Sequence, residues 1–545
     1  MVNDMTGLPK YLECLTESQQ EALDAAMSMK DGGCLFITGG AGCGKSAVAR
    51  SIVAMKQATG KNVLVCAPTG LAAMNIDGET IHSAFGFPAE PCIINSGGGL
   101  RLRVTSPRLV MMADTVILDE ASMIGPDLMD ACILSLRKAG KESGRPKTLV
   151  LLGDLFQLSP VVTENHRKLL EEFYGTVHEN WYPFMGNCWN ECDFRIVFLT
   201  QNMRQMDKEF VEVLNQARRG DLSCLSYLNE AVRRSLGPGA TSLYAYNNKV
   251  QEKNRMILES LPGMEYRVRT IFSAEKGHSL EDVRMRSWMP DEISFKEGAQ
   301  ILFTATDYGI CAQRLHSGIR KGRGDTSPAF VNGMTGRIEK VLADNSVIIQ
   351  TDKGSRLKVA PLERPVWEMQ VASGKIEKSV VGSAKGYPFM LSYAQTIHRS
   401  QGRTLTEVVV DPDTFAPGQL YVALSRVRSM EGLSLTRAIL PEDLKVDPSI
   451  TAFYDRAEKK AGISRKRGRP TSNTDGSRKD NFLWVPKALE NHVREEVLLN
   501  RVTRIPAGIS PVQGRVHLRV TERLYAQLKE QIETWKKQVK EAKKG

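Results

Sequence analysis

The chain has 545 residues, of which 42% are hydrophobic and 25% charged, a composition typical of a globular protein with room for three or four domains. The sequence contains no run of about 18 apolar residues, and its first stretch carries acids and lacks the apolar core of a signal peptide. These features argue against a membrane-bound or exported protein. We therefore expect a cytoplasmic protein without a membrane partner.

The positive charge lies at one end of the chain. The formal net charge is +11, and residues 451–545 hold 22 Lys and Arg against 11 Asp and Glu, so this segment accounts for the whole excess. A basic tail predicts a polyanionic partner such as nucleic acid, bound with an affinity that depends on salt. The alternative is a tail that only keeps the protein soluble.

The ten cysteines are scattered singly along the chain and show no disulfide framework. This spacing predicts free thiols in a reducing compartment. The closest pair in sequence is Cys188 and Cys192, and a metal site there would need two more ligands, of which only His178 is near in sequence. We therefore interpret both as unliganded structural cysteines.

Five short apolar runs alternate with stretches of helical spacing in the first part of the chain. Each run ends in a polar or glycine-rich motif, and functional groups of open α/β sheets gather at such carboxyl ends of strands. The pattern predicts a parallel sheet covered by helices, over residues 1–194, with a small hairpin insertion at about 86–108. The runs are CLFITGG, NVLVCAP, TVILDEAS, TLVLLGD and RIVFLTQ.

The rest of the chain predicts a second α/β lobe with an insertion and a tail. The second lobe is assigned to 195–336 and 386–450, and short alternating strands over 337–385 predict a small barrel inserted in it. Low apolar content over 451–480 predicts a disordered linker. Residues 481–545 are predicted to be an accessory region that ends in a strand, VHLRV, and a helix.

A phosphate-binding loop is the clearest local motif. The segment GGAGCGKS fits the pattern G-x-x-x-x-G-K-S/T and stands between an apolar run and a helical stretch. Its backbone N–H groups would surround phosphate oxygens, aided by the positive end of the helix dipole. Lys45 is predicted to contact the β- and γ-phosphates of ATP, and Ser46 to hold Mg²⁺. The predicted nucleotide-binding residues are Gly39, Gly40, Ala41, Gly42, Cys43, Gly44, Lys45 and Ser46.

Acidic and amide side chains follow two further apolar runs. Asp119 is predicted to hold Mg²⁺ through water, and Glu120 to orient and deprotonate the attacking water. A solvated loop or a helix N-cap is the alternative for two acids at a strand end. Gln157, in GDLFQLSPV, is predicted to sense the γ-phosphate and report it to the rest of the lobe.

Phosphoryl transfer also needs positive charge against the charge that develops in the transition state. Arg204, in LTQNMRQ, and Arg426, in YVALSRVRS, are the predicted candidates. We expect both to reach from the second lobe to a nucleotide held by the first. Simple solvation is the alternative for each, because an arginine on a loop is more often only solvated.

Together these motifs resemble the Pif1-type DNA helicases of superfamily one, within the wider group of RecD and phage Dda motors. The resemblance covers roughly residues 13–438. Besides the phosphate loop, it rests on segments that follow one another in the family's order: LTESQ, APTGLAAMNIDGETIHSAFGFP, GDLFQLSPV, VNGMTG, AQTIHRSQGRTL and GQLYVALSRVRSMEGLSL.

The resemblance implies an α/β fold of two RecA-like parallel-sheet lobes with ATP between them, a wedge at 86–108 and an SH3-like barrel at 337–385. It implies an enzyme, an ATP-hydrolysing DNA helicase that moves 5′→3′ on single-stranded DNA and unwinds duplex or forked DNA. Gln19 would read adenine, and Gln401 would join the catalytic set.

The resemblance also implies a set of DNA-binding residues. Aromatic and imidazole rings stack on any base, and hydroxyl groups hold phosphates, so such a set grips DNA without sequence preference. The implied residues are Pro68, Thr69, His82, Phe85, Thr396 and His398.

The sequence departs from the family pattern in a few places. Cys43 stands where the family commonly has threonine, and a thiol beside the phosphates predicts oxidation-sensitive activity. Ser159 stands where proline is usual. Residues 308–328 look like an insertion without an assigned role, and nothing in 451–545 resembles the family core.

The tail has several interpretations. Arg467 and Arg469, in RKRGRP, resemble an AT-hook whose arginines enter a narrow A·T minor groove. A basic linker that contacts phosphates nonspecifically fits equally well. The final strand and helix resemble half of a ribbon-helix-helix unit, or a docking segment for a protein partner or for self-association.

Three other functions stay open on the sequence alone. A DNA-stimulated ATPase would remodel or recruit a protein–nucleic acid complex through the tail without net unwinding. A P-loop kinase or GTPase of another class would not depend on Arg426. RNA in place of DNA is the third, because stacking and phosphate contacts do not distinguish the two.

Overall fold

The computed structural model describes most of the first 462 residues. It covers 15–462 apart from 89–90, 96–98, 238, 288, 306, 308–310, 316–328, 331–333, 353 and 373, together with two later strands. By its internal contacts the chain divides into two compact units, 1–464 and 465–545. Arg467 and Arg469, the final helix and most of 308–328 lie outside the described residues.

Within its described residues, the first lobe contains eight strands and eight α-helices. They are α1 (Glu17–Met27), β1 (Cys34–Gly39), α2 (Lys45–Ala58), β2 (Val63–Ala67), α3 (Gly70–Asn75), β3 (Glu79–Thr80), α4 (Ile81–Phe85), β4 (Ile93–Asn95), β5 (Leu100–Leu102), α5 (Arg108–Met112), β6 (Thr115–Leu118), α6 (Pro126–Ser143), β7 (Thr148–Gly153), α7 (Glu164–Tyr174), α8 (Asn187–Glu191) and β8 (Arg195–Leu199).

The remaining elements of the first unit follow in chain order. They are α9 (Lys208–Arg218), α10 (Leu225–Leu228), β9 (Thr241–Tyr244), α11 (Asn247–Ser260), β10 (Tyr266–Arg269), β11 (Ile271–Ala274), α12 (Leu280–Ser287), β12 (Glu292–Phe295), β13 (Gln300–Phe303), β14 (Ala312–Arg314), β15 (Thr335–Val341), β16 (Val347–Thr351), β17 (Arg356–Val359), β18 (Leu362–Ala372), β19 (Lys375–Gly386), β20 (Phe389–Leu391), β21 (Ala394–Thr396), α13 (Ile397–Ser400), β22 (Val408–Val410), α14 (Gln419–Leu424), β23 (Leu433–Leu435) and α15 (Pro448–Lys460).

Six parallel strands form the sheet of the first lobe, in the order β3-β2-β6-β7-β1-β8. β2, β6 and β7 are buried along their whole length, which is why they read as continuous apolar runs. The predicted parallel sheet is confirmed. Its carboxyl edge carries the phosphate loop after β1 and the two acids after β6.

The position of β8 corrects the sequence analysis, which placed the start of the second lobe at residue 195. β8 pairs in parallel with β1, from Leu35 opposite Arg195 to Gly39 opposite Leu199. It therefore belongs to the first sheet, and the chain crosses to the second lobe after it. An apolar strand carries no local signal of which sheet it joins, because its partner is chosen by tertiary contacts.

The insertion near 86–108 contains the hairpin that the sequence predicted. β4 and β5 pair antiparallel, with Ile93 opposite Leu102. Ile93 packs against Leu170 of α7 and the buried Trp181, and the β5 leucines lie against the same cluster. The hairpin is therefore anchored to the first lobe by a small apolar core of its own.

The second lobe has a smaller parallel sheet, β21-β9-β22-β23. Its core joins apolar side chains of α9 and α14 to the strands, among them Phe210, Leu243, Leu420 and Val422. The second RecA-like lobe expected from the sequence is thus an α/β unit around its own parallel sheet.

Antiparallel strands occupy the region between β9 and β21. A six-stranded sheet has the order β14-β17-β16-β15-β13-β20, so β13, β14 and β20 join it from outside the range 337–385. The long hairpin β18–β19 pairs with β11 and extends to the first lobe, where the backbone N–H of Met369 donates to Glu79 at 2.7 Å and Asn62 Nδ2 to Gly374 O at 3.0 Å.

The last helix of the first unit returns to the first lobe. α15 begins after Asp447, whose carboxylate caps it by accepting from the Ser449 N–H. Phe453 stacks on Phe184 with ring centroids 4.7 Å apart and meets the edge of Trp189 at 5.9 Å. The chain thus leaves the first lobe after β8, forms the second lobe, and closes back on the first.

Two other observations complete the fold. In the second unit the backbones of β24 (Phe482–Pro486) and β25 (Arg515–Arg519) pair antiparallel, and β25 overlaps the strand predicted at VHLRV. Within the described part of the chain, no helix has the length and apolar character needed to cross a membrane.

Phe453→Ala tests the docking of α15. Removal of this ring should lower the free energy of unfolding by about 3–5 kcal/mol, because the buried ring leaves a cavity among aromatic neighbours. Urea denaturation measures the change. The control is Phe415→Ala, since Phe415 is 54% exposed, and a similar loss in both variants would contradict a structural role specific to Phe453.

Candidate active site

The phosphate loop begins where β1 ends and closes where α2 begins. Gly42 and Gly44 have φ angles of +85° and +77°, and a Cβ on Gly44 would lie 2.3 Å from Nε2 of Gln19, so both need glycine. Lys45 Nζ donates to the carbonyls of Gly39 at 2.8 Å and Gly40 at 3.1 Å. The lysine is therefore folded back over the loop in which a phosphate would lie.

Gln19 is tied to this loop from the first helix. It is the third residue of α1 and forms a capping box with Thr16. Its Nε2 donates to the carbonyl of Cys43 at 3.0 Å, and the side chain is 3% exposed. The structure thus places Gln19 against the backbone of the phosphate loop, while its contact with adenine stays a prediction.

The two acids after β6 differ in exposure and partners. Asp119 is buried and accepts from the N–H of Glu120 at 2.8 Å. Burial, and then the charge of Glu120, raises the pKa of Asp119 to about 7. Glu120 has a φ angle of +51°, an uncommon backbone conformation for a non-glycine residue, and its carboxylate is half-buried at the cleft.

Gln401 of the second lobe reaches the acids of the first. Its Nε2 donates to Glu120 Oε2 at 2.9 Å and lies 3.5 Å from Gln157 Oε1. Gln157 in turn donates from Nε2 to Asp154 Oδ2 at 3.4 Å. Three predicted catalytic residues from distant parts of the chain therefore form one hydrogen-bonded line across the two lobes.

Arg204 and Arg426 also lie at the junction of the lobes. Arg204 follows β8 of the first sheet, so it does not reach over from the second lobe as the sequence analysis expected. Its Nη1 donates to the carbonyl of Ser425 at 2.9 Å. Arg426 is 1% exposed, and its guanidinium donates to the carbonyls of Val422 at 2.6 Å and Ser400 at 3.2 Å.

The surroundings of Arg426 set its electrostatics. Burial, and then the charge of Arg204, lowers the pKa of Arg426 to about 9. It stays protonated at neutral pH, but its charge is poorly solvated. A phosphate anion in the adjacent cleft would therefore stabilise both guanidiniums.

These side chains line one cavity of about 680 Å³ between the lobes. The first lobe contributes Lys45, Ser46 and Glu120, and the second contributes Arg426. The other lining residues are Ala41, Gly42, Gly44, Ala47, Arg50, Gln157, Met203, Arg204, Met206, Asp207, Gly402, Thr404, Arg428 and Ser429. Arg50, Thr404 and Arg428 were not predicted, although Thr404 and Arg428 lie in the segments AQTIHRSQGRTL and GQLYVALSRVRSMEGLSL.

Two contacts of the phosphate loop were not predicted from the sequence. The Tyr421 hydroxyl of α14 accepts from the Ala41 N–H at 2.8 Å, and Asn202 Nδ2 donates to the Ala41 carbonyl at 3.0 Å. Tyr421 stands five residues before Arg426 in the motif GQLYVALSR, and this motif is the feature of the sequence from which its contact could have been predicted. The second lobe thus contacts the loop backbone directly.

A buried ion pair also joins the lobes. Arg218, the last residue of α9, donates from Nε to Asp154 Oδ2 at 2.9 Å and from Nη2 to Asp154 Oδ1 at 2.6 Å. Its guanidinium lies 4.5 Å from the ring centroid of Phe156 and 5.3 Å from that of Tyr454. Apart from the motif GDLFQ, which contains Asp154 and Phe156, no local pattern indicated this pair.

Five of the six predicted DNA-binding residues lie at or just after the ends of strands. Pro68 and Thr69 follow β2 and are half-buried. Thr396 caps α13 by accepting from the Arg399 N–H at 3.3 Å. Burial lowers the pKa of both His82 and His398, so both rings are neutral at pH 7 and suited to stacking rather than to phosphate pairing.

Two expectations from the sequence are corrected by burial. Phe85 has no exposed surface and stacks on Phe87 with centroids 5.5 Å apart, so it is a core side chain and not a base-stacking surface.

Cys43 is 6% exposed, and burial raises the pKa of its thiol. A buried, protonated thiol reacts slowly, so the structure does not favour the predicted oxidation sensitivity at Cys43.

The fold and the cleft define a class of protein, the two-lobed P-loop ATPase in which both lobes contact one nucleotide site. The family described as PIF1-like helicase matches residues 14–226. ATP-dependent DNA helicase Pif1 of Bdellovibrio bacteriovorus is 31% identical over 458 residues, which cover 82% of this chain and 92% of that protein. The Campylobacter jejuni protein of the same name is 26% identical and covers 77% and 94%.

Solved structures agree with this relation. The crystal structure of Bacteroides sp. Pif1 in complex with ADP-AlF4 matches with a TM-score of 0.67 and 29% identity, covering 83% of this chain and 98% of that one. The same protein bound to ssDNA matches with a TM-score of 0.55. The chain belongs to the PIF1-like helicase family.

Gln401→Ala tests the line from Gln401 to Glu120. Loss of the amide should lower kcat for ATP hydrolysis by about 10–100-fold with little change in nucleotide affinity. The substitution removes a hydrogen bond to Glu120, the predicted general base, and leaves the phosphate loop unchanged. Steady-state ATPase assays and nucleotide titrations separate the two effects. Gln350→Ala, a change on β16 away from the cleft, is the control and should behave as wild type.

Proposed function

We propose that this chain is an ATP-dependent DNA helicase that moves 5′→3′ along single-stranded DNA and separates the duplex ahead of it. The observation that carries this proposal is the cavity lined by Lys45 of one lobe and Arg426 of the other. A nucleotide there would contact both lobes, so binding and hydrolysis would favour different lobe separations. Such a cycle turns hydrolysis into steps along a strand.

The hydrolysis step assigns a role to each side chain of the cleft. Lys45 would exchange its two carbonyl partners for phosphate oxygens. Glu120 would accept a proton from the attacking water, and Gln401 would orient Glu120. Gln157 would sense the γ-phosphate. Arg204 and Arg426 would stabilise the charge that develops on the phosphoryl group.

Magnesium would be held by Ser46 and Asp119. Ser46 lines the cavity, and Asp119 is a buried carboxylate whose ionised form is poorly solvated. Hydroxyl and carboxylate oxygens are ligands that Mg²⁺ prefers, and a cation would stabilise the ionised form of Asp119. The bound metal would neutralise phosphate charge, while the chain's own contribution is to position these two oxygens.

The DNA track is proposed across the carboxyl edges of both sheets, where Pro68, Thr69 and His82 lie on one lobe and Thr396 and His398 on the other. Single-stranded and forked DNA are the proposed partners.

The hairpin β4–β5 is proposed as the wedge, and the antiparallel strands around 337–385 are proposed as the insertion that closes over the DNA strand. The basic tail would add nonspecific affinity for DNA, or bind a protein partner.

A strand-separation assay tests the proposal. The chain, ATP and Mg²⁺ should unwind duplexes with a 5′ single-stranded tail and leave those with only a 3′ tail paired, because one polarity of movement reaches only one of the two junctions. RNA-containing duplexes form a third arm. ATP hydrolysis without unwinding of any substrate would favour the alternative, a DNA-stimulated ATPase that remodels or recruits.

Lys45→Ala should abolish ATP hydrolysis and unwinding while DNA binding remains, because Lys45 touches the phosphate site and not the proposed track. ATPase rates and fluorescence anisotropy of labelled single-stranded DNA measure the two properties. Lys61→Ala, an exposed lysine just beyond α2, is the matched control. Loss of DNA binding together with hydrolysis in Lys45→Ala would show that the variant is misfolded or that the two sites are not separate.

A further inference from the structure

Two cysteines that are 158 residues apart in sequence meet at the amino-terminal edge of the first sheet. Cys34 is the first residue of β1, and Cys192 is the C-cap residue that follows α8, three residues before β8 begins. β1 and β8 are paired neighbours, with Leu35 opposite Arg195. The thiol of Cys34 hydrogen-bonds the sulfur of Cys192, and both residues are half-buried, free cysteines.

An arginine stands beside one of the two sulfurs. Arg137 of α6 lies with Nη2 3.7 Å from Cys192 Sγ, and its other terminal nitrogen pairs with Glu191. The Cys34 thiol and Arg137 lower the pKa of Cys192 to about 7, against the opposing effects of burial and of Glu191. Cys34, which donates to that sulfur, has its pKa raised well above the ordinary value, first by this hydrogen bond and then by burial.

The other cysteines that the structure describes lack this combination. Cys43 is buried in the phosphate loop and Cys188 is buried in α8. Burial raises the pKa of both thiols. A reactive thiol needs thiolate character and access, and an oxidation sensor also needs a second thiol near it. Within the described residues, the pair of Cys34 and Cys192 meets all three conditions.

We propose that Cys34 and Cys192 form a thiol–disulfide site that reacts with hydroperoxides. The Cys192 thiolate attacks a peroxide oxygen, the O–O bond breaks, and hydroxide leaves, so that Cys192 becomes a sulfenic acid. The Cys34 thiol then attacks that sulfur, a disulfide forms, and the sulfenic oxygen leaves as water. The two sulfurs lose two electrons in total, and hydrogen peroxide is reduced to two molecules of water.

The position of the site predicts what the disulfide would constrain. β1 leads from Cys34 to the phosphate loop, and β8 leads from Cys192 towards Asn202 and Arg204. A strand of six residues spans about 20 Å, so the sulfurs lie at the edge of the sheet opposite the nucleotide cleft. The disulfide would link the amino-terminal ends of β1 and β8, whose carboxyl ends lead to the predicted catalytic groups. It would also constrain a large loop of the unfolded chain.

Oxidation of the full-length protein tests the chemistry. The reduced chain is treated with a small excess of hydrogen peroxide, and its peptides are mapped by mass spectrometry without reduction. We expect a peptide pair linked through Cys34 and Cys192, reversed by dithiothreitol. With Cys34→Ser, Cys192 should instead be trapped by dimedone as a sulfenic acid. Cys188→Ser, four residues before Cys192, is the control and should still form the linked pair.

A different disulfide, or first reaction at any of the other eight cysteines, would overturn the proposal. A second measurement does not depend on the disulfide. At pH 7 a larger fraction of Cys192 should be thiolate than the roughly 3% expected for an ordinary thiol of pKa 8.5. Its alkylation rate should therefore reach half-maximum at a lower pH than that of an ordinary thiol, and Arg137→Met should move that midpoint upward. A midpoint above 8 in the wild-type chain would also overturn the proposal.

Discussion

The ion pair of Arg218 and Asp154 is the contact on which the arrangement of the lobes depends. It joins α9 of the second lobe to the loop after β7 of the first, and both side chains are removed from water. A buried pair is stable only when its geometry and additional contacts offset the loss of hydration. Here bidentate hydrogen bonds and the rings of Phe156 and Tyr454 supply those contacts. Tyr454 in turn hydrogen-bonds Thr38 of β1 at 2.6 Å, so α15 belongs to the same junction.

The same junction extends to the chemistry of the cleft. Asp154 accepts from Gln157, which lies next to Gln401, and Gln401 donates to Glu120. Tyr421 meanwhile holds an N–H of the phosphate loop. A change in the separation of the lobes would therefore disturb together the groups that we propose to surround the attacking water and the phosphates. This is the proposed physical basis for coupling between hydrolysis and movement.

The hairpin β18–β19 is a further part of the chain that contacts the first lobe. It reaches the first lobe at Glu79, which accepts from Met369 and lies 3.4 Å from Arg286. Glu79 stands just before the segment that contains His82, a proposed DNA contact. The thiol pair is separate from all of these contacts, because Cys34 and Cys192 lie at the opposite edge of the first sheet. The sulfurs of the proposed thiol–disulfide site therefore lie at the other edge of the sheet from Cys43, which is buried in the phosphate loop.

The sequence by itself determined the phosphate loop, the acids after β6, the two parallel-sheet lobes and the β4–β5 hairpin. Glycines, a lysine and strand-end acids at fixed spacing impose local geometry, and apolar periodicity reports burial within one element. Tertiary structure alone decided that β8 joins the first sheet, that Phe85 is core, that Arg218 pairs with Asp154, and that Cys34 meets Cys192. These outcomes depend on contacts between residues far apart in the chain, and no local pattern specifies which distant partner a strand, a ring or a thiol will find.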